Sequence, residues 1–355
     1  MGPPARACDK TAEMAVAGDF CNDFTKAAPP AQEETMVQLS RVVLCMLAAL
    51  GVANAEAAEK LRVGKAVPFA WTFTPIEVGI QTGIFAKHGL ELDVSAFGGD
   101  ARMQQGLTSD SLDIGIGSGP GMAFMAKGVP AKAVFAMAGV PRNMAVMVNY
   151  NLPIRTVDDL RGKKLGVTTA GSLTEWIGKR INQQKGWTQN GIQVVPIGGM
   201  QPARAAVKTG QLDGYIGALE VGYEFEENQE WRVITTATPF VQDFITHVFF
   251  ARNELIEKRP QAIKAFLQGW QDTIAFMKKN KDKTVEITAK VINLKPSVVA
   301  RGYDEQIGIF NEDGTFDPKA VAVLKQSFIE MGLLKEIPAD KDLFTTQFLP
   351  VKAGM

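Results

Sequence analysis

Two dipeptides in this 355-residue chain come back at an offset of one hundred positions: Gly98-Gly99 as Gly198-Gly199, and Leu112-Asp113 as Leu212-Asp213. The elements around them return in the same order. Residues 61–66 read as a strand. Thr74-Pro75-Ile76-Glu77 has the form of a capping box with proline at the first helical position, opening a helix to about Lys87 that Gly89 ends. Leu90-Glu91-Leu92-Asp93-Val94 alternates with period two, which predicts a strand. Gly98-Gly99 then turns the chain into a helix over 101–109, and 112–117 forms a third strand. In the second copy 164–168 is a strand, and Ser172-Leu173-Thr174-Glu175 is a second capping box whose helix runs to about Gln184. A strand over 192–197, the Gly198-Gly199 turn, a helix over 202–209 and a strand over 212–217 complete the set. One shared dipeptide is chance; shared order, cap chemistry and spacing predict two similar α/β lobes. Strands alternating with short helices predict parallel sheets.

The apolar β-type runs 143–149 and 247–251 stand at the edges of the second repeat and are expected as two strands crossing between lobes. Lobe I is then 58–145 with 250–355, and lobe II is the insert 146–249. After Arg259-Pro260 the sequence turns helical over 260–280, 283–293, 296–310 and 317–334, with Asp317-Pro318 a start signal. The stripe Ile263, Phe266, Leu267, Trp270, Ile274 and Met277 has helical spacing and is expected in the core of lobe I.

Residues 36–57 carry Arg41, then an apolar run of 11 residues from Val42 to Val52, then overlapping small-x-small sites ending in Ala55 and Ala57. That is the pattern of a secretory signal peptide, and the run is too short for a membrane span. The acidic leader 1–35 ahead of it is expected to be non-native or disordered, with translation starting at Met36. The three cysteines, Cys8, Cys21 and Cys45, all lie before the cleavage site, so the exported chain is cysteine-free and suits an oxidising compartment. With 38 basic and 38 acidic residues, no electrostatic case exists for a nucleic-acid or membrane partner. Two lone histidines, His88 and His247, show no metal spacing, and no cofactor fingerprint or nucleophile elbow is present. These absences favour binding over catalysis, with no cofactor and no metal.

In open parallel sheets, ligands bind outside the carboxyl ends of the strands, where helix N-termini offer free N–H groups and partial positive charge. The turns 69–74, 117–120 and 168–172 are placed for this. Trp71 and Phe73 lie in a loop rather than on a periodic stripe and are expected to meet ligand, with Phe69 adding to an apolar wall. Ser118 and Ser172 have two readings, ligand contact or capping of their own helices. Glu220 either meets a donor group of the ligand or complements a helix dipole. His247, on a proposed crossing strand, is a further candidate; Trp176 is expected in the core, and His88 at an exposed helix end.

The chain resembles the substrate-binding proteins of ABC importers for aliphatic sulfonates, taurine, nitrate and thiamine-pyrimidine precursors. The resemblance is carried by Arg62-Val63-Gly64, by Thr82-Gly83-Ile84-Phe85-Ala86-Lys87-His88-Gly89-Leu90-Glu91, by Leu112-Asp113-Ile114-Gly115, by residues 156–164 and by Gly171-Ser172. It covers about residues 60–300. It implies a type II periplasmic-binding-protein fold, two α/β lobes joined by crossing strands with a ligand cleft between them. It also implies a monomeric periplasmic receptor that delivers a small solute to a membrane permease and its ATPase. On the residues, it implies ligand contact by Trp71, Thr72, Ser118, Gly119, Thr169 and Ser172. Glu220-Val221 departs from the acidic-Pro pair common in the family. Main-chain donors with an apolar wall suit an organic anion such as a sulfonate, and a planar heterocycle on Trp71 is the competing ligand. An enzyme on the same scaffold is the third reading.

Overall fold

The computed structural model describes residues 58–187 and 190–354. The leader 1–35 and the export signal 36–57 expected from the sequence lie outside them. Two five-stranded sheets organise the chain. The first holds β1 (Glu59–Lys65), β2 (Leu90–Ala96), β3 (Ile114–Ser118), β4 (Ala131–Ala138) and β10 (His247–Arg252), in the order β2-β1-β3-β10-β4. The second holds β5 (Met144–Asn149), β6 (Lys164–Val167), β7 (Gln193–Pro196), β8 (Gly214–Ala218) and β9 (Trp231–Thr236), in the order β7-β6-β8-β5-β9. The two orders are the same pattern, so the sequence repeat is a repeat of topology.

The sheets are mixed rather than parallel. In each, the first three strands pair in parallel, as strand–helix–strand connections require. The fourth position in each is an antiparallel strand supplied from the far side of a crossing, β10 between β3 and β4, and β5 between β8 and β9. The two runs expected as crossing strands are therefore each a strand of a single sheet. The passages between sheets are the segments 139–143 and 237–246, which follow β4 and precede β10.

The longer helices are α1 (Pro75–Gln81), α2 (Asp100–Thr108), α3 (Leu173–Gln184), α4 (Met200–Lys208), α5 (Leu219–Glu227), α6 (Pro260–Lys279), α7 (Lys281–Ile292), α8 (Pro296–Gln306) and α9 (Pro318–Glu330). The helix expected from Thr74 to Lys87 breaks at Gly83, whose φ of 71° lies in the left-handed region that glycine enters without steric cost. The first capping box does not form. Thr74 instead donates its hydroxyl to the Trp71 carbonyl at 2.7 Å, closing a one-turn 3-10 helix over Trp71–Phe73, and Glu77 pairs with Lys65. At the second, the cap itself forms, with Ser172 Oγ accepting the Glu175 N–H at 3.4 Å, while Glu175 reaches one residue further back than a capping box requires, to the Gly171 N–H at 2.6 Å. Asp317 caps α9 through the Ala320 N–H at 2.9 Å.

The stripe expected on α6 is buried and packs against α1 beneath the first sheet. Other parts of the C-terminal region tie the two sheets together. Trp176 on α3 donates its indole N–H to Glu330 at the end of α9 at 2.8 Å, and α8 packs on α5. No described helix is long and apolar enough to cross a membrane.

Candidate functional site

Strand direction decides where the loops meet. Ala66 and Val67 follow the carboxyl end of β1, Gly99 and Asp100 follow β2, and Ser118 ends β3; Thr168 follows β6, and Gly217 with Ala218 ends β8. The antiparallel strands begin at the same edge, so His247 opens β10 and Met144 opens β5 beside these turns. All of them line one cavity of about 50 Å³ between the sheets, closed further by Phe69, Ala70, Phe73, Asn143, Ser172, Leu173 and Thr174. Both sheets thus contribute their carboxyl-end turns to one space, the place where open α/β sheets bind ligands. A wider groove of about 540 Å³ adjoins it, with Phe69 bordering both, and is lined by Phe97, Met200, Pro202, Phe225 and Leu294. A third groove of about 650 Å³ lies at the far ends of the second sheet's strands, by Asn149 and Trp231, remote from these turns.

On the wall from the second sheet, hydroxyls form a chain. Thr174 Oγ1 accepts the Thr168 N–H at 3.0 Å and sits 3.0 Å from Thr168 Oγ1 and 2.8 Å from Ser172 Oγ. Leu173 and Thr174 are the first residues of α3, where backbone N–H groups have no intrahelical partner. This wall is rich in donors. The opposite wall carries Asp100, the first residue of α2 and 4% exposed. Its Oδ1 accepts the Ser118 N–H at 2.7 Å and its Oδ2 the Ser118 hydroxyl at 2.8 Å. Burial pushes the Asp100 carboxyl pKa up, and the Ser118 bonds offset part of that. His247 is buried with its ring edge-on to Phe73 at 4.8 Å, and burial lowers its pKa to about 3, so it is neutral at pH 7.

Of the residues singled out from the sequence, Phe69, Phe73, Ser118, Ser172 and His247 are brought together around the cavity. Ser172 also caps α3, so its two readings coexist; Ser118 makes no cap bond to its own turn. The remaining candidates do not line the cavity. Trp71 is buried in the core, stacked on Phe310 at 5.6 Å and edge-on to Tyr303 at 6.2 Å. Phe69, Ala70 and Phe73 line the cavity, while Trp71, which opens the 3-10 turn between them, enters the core. Thr72 is buried beside it. At Gly119 an added Cβ would collide with the Ile245 carbonyl, so this glycine serves a close backbone approach. Thr169 abuts Gly99 from across the boundary between sheets. Glu220 is buried and accepts the Trp71 N–H at 2.7 Å and the Gln306 amide at 3.1 Å, joining α5 to the first loop and to α8. Burial raises its pKa.

Asp100, Asn143 and Thr174 line the cavity without having been singled out from the sequence as site residues, and Thr168 lines it from within the turn 168–172 that was. Asp100 had a legible signal: the residue after the first Gly-Gly pair is acidic, whereas Met200 follows the second. Asn143 had none, because it belongs to the connection rather than to either repeat.

The family described as NMT1/THI5 like matches residues 71–284. A Brucella abortus (strain 2308) protein named as a binding protein is 24% identical over 303 residues, covering 82% of this chain and 92% of its own. A Bacillus subtilis (strain 168) protein named as binding aliphatic sulfonates is 22% identical over 265 residues, covering 72% and 78%. The alkanesulfonate-binding protein SsuA of Xanthomonas axonopodis pv. citri, solved with MOPS bound, superposes with a TM-score of 0.67 at 16% identity, covering 81% of this chain and 96% of that one. The desulfurization enzyme DszB superposes with a TM-score of 0.56 at 15% identity, covering 82% and 97%. At these identities the structural matches establish the fold alone: two mixed α/β sheets in the type II periplasmic-binding-protein arrangement.

Proposed function

The chain belongs to the NMT1/THI5-like family, and from that premise we propose that it is the extracytoplasmic receptor of an ABC importer, holding a small organic solute between its lobes for a permease and its ATPase. The carrying observation is the convergence of carboxyl-end turns from both sheets on one cavity. An exported, monomeric receptor closes its lobes over the solute and opens them at the permease. The names of two relatives, as binding aliphatic sulfonates and alkanesulfonates, support an organic anion on an apolar body. So does the wall at the start of α3, where the first N–H groups of a 12-residue helix and the hydroxyls of Thr168, Ser172 and Thr174 offer donors to an oxyanion. Phe69 and Phe73 supply the apolar surface beside it.

A planar heterocycle is the second reading, favoured by those same two rings, against which it would pack. Catalysis on the shared scaffold is the lesser one. The fold is also that of a desulfurization enzyme, but the chain from residue 58 onward contains no cysteine to act as a nucleophile. The test is a thermal-shift panel of sulfonates, carboxylates and pyrimidines, with mass spectrometry of the recovered solute. A ligand at a hundred times its Kd adds about 2.7 kcal/mol to the folded state. A solute recovered chemically altered would instead favour an enzyme.

A further inference from the structure

The wall contributed by the first sheet centres on a carboxylate, Asp100. Asp100 lines the cavity with each carboxylate oxygen engaged by a single Ser118 donor, so lone pairs remain on both. Asn143 (2% exposed) and His247 (5% exposed) also line it, and Asn143 Oδ1 and His247 Nδ1 have no hydrogen-bond partner among the described residues. No lysine or arginine lines the cavity, so no cation there answers the carboxylate. The Ser118 N–H and hydroxyl are both already spent on Asp100. A buried carboxylate with unused lone pairs and no cation beside it carries a desolvation cost that a donor-bearing ligand relieves and a bare oxyanion deepens.

We infer that the solute held here carries a nitrogen hydrogen-bond donor, an ammonium, amidinium or ring amine, which docks on Asp100 beside Asn143 and His247. Asp100 is then the residue that separates donor-bearing solutes from plain anions. This rests on the solute-receptor reading and narrows it: any oxyanion sits at the start of α3, and the nitrogen faces the other way. The burial that raises the Asp100 pKa fits a site whose charge is balanced only when ligand arrives.

Matched pairs differing only in the amine test this: 3-aminopropane-1-sulfonate against propane-1-sulfonate, and 4-aminopyrimidine against pyrimidine, within a wider panel of amines, amidines and simple anions. Calorimetric titration of the full chain should give the amino member at least about tenfold tighter binding, the lower part of the range set by leaving one buried polar group without its partner. Asp100→Asn, checked for native circular dichroism, should erase most of that preference. Equal or tighter binding of the amine-free member by the wild type overturns the inference while leaving the receptor reading intact, and it does so even where Asp100→Asn fails to fold. Binding by nothing in the panel overturns both.

Discussion

Residue by residue, the site was legible where a side chain's role depends on its own turn, and obscure where it depends on the other sheet. Ser172 could be placed because its cap is local. Trp71 could not, because its stacking on Phe310 and its N–H bond to Glu220 are made with residues far along the chain. Trp71→Ala should therefore cost about 3–5 kcal/mol in chemical denaturation, the range for removing a buried large aromatic, while the stabilisation by bound solute persists. A loss of that stabilisation with folding intact would return Trp71 to the site. His247 and Glu220 make opposite predictions for pH. His247 has its pKa lowered in the folded state to about 3, so below its ordinary value near 6.5 the unfolded chain binds the extra proton. Its contribution is lost as pH falls, approaching roughly a tenfold drop in the folding constant per pH unit, and His247→Gln should flatten that slope in denaturation curves taken between pH 7 and 4. Glu220 has its pKa raised, so the native state holds the proton longer than the unfolded one. Its contribution is greatest below the ordinary carboxylate range and is lost as pH rises through the raised value; Glu220→Gln should remove that decline.

At the scale of elements, helix starts and strand periods were readable because both are set by a few adjacent residues. The ends of α3, α4, α6 and α9 fall within a few residues of expectation. What could not be read was the sense of β5 and β10. An apolar run looks the same whichever way its neighbours point, and a strand enclosed on both faces has no alternation to betray its role. The first capping box failed for a related reason: Thr74 had a better local partner in the Trp71 carbonyl. Its counterpart should respond as a working cap, so Ser172→Ala is expected to cost about 1 kcal/mol by thermal denaturation, whereas Thr74→Ala should leave α1 in place. Equal losses of helix at both sites would contradict the difference in cap geometry.

For the molecule as a whole, the repeat gave the architecture because duplicated order in sequence became duplicated order in space. A cavity of about 50 Å³ is far smaller than the roughly 300–1,000 Å³ of ordinary ligand pockets, so on the proposed receptor reading a solute is expected to enter by the lobes parting. Small-angle scattering should find a larger radius of gyration without ligand than with it; identical radii would mean that entry needs no lobe movement. The two passages at 139–143 and 237–246 carry a consequence for engineering. Ala145 pairs with Thr236 at one end, and Ala138 pairs with His247 at the other, so both breaks in the insert fall between neighbouring strands. The second sheet with its helices is therefore a cassette whose two cut ends already touch, and it could be transplanted into a sister scaffold, or joined head to tail and given new termini, without stretching a single loop.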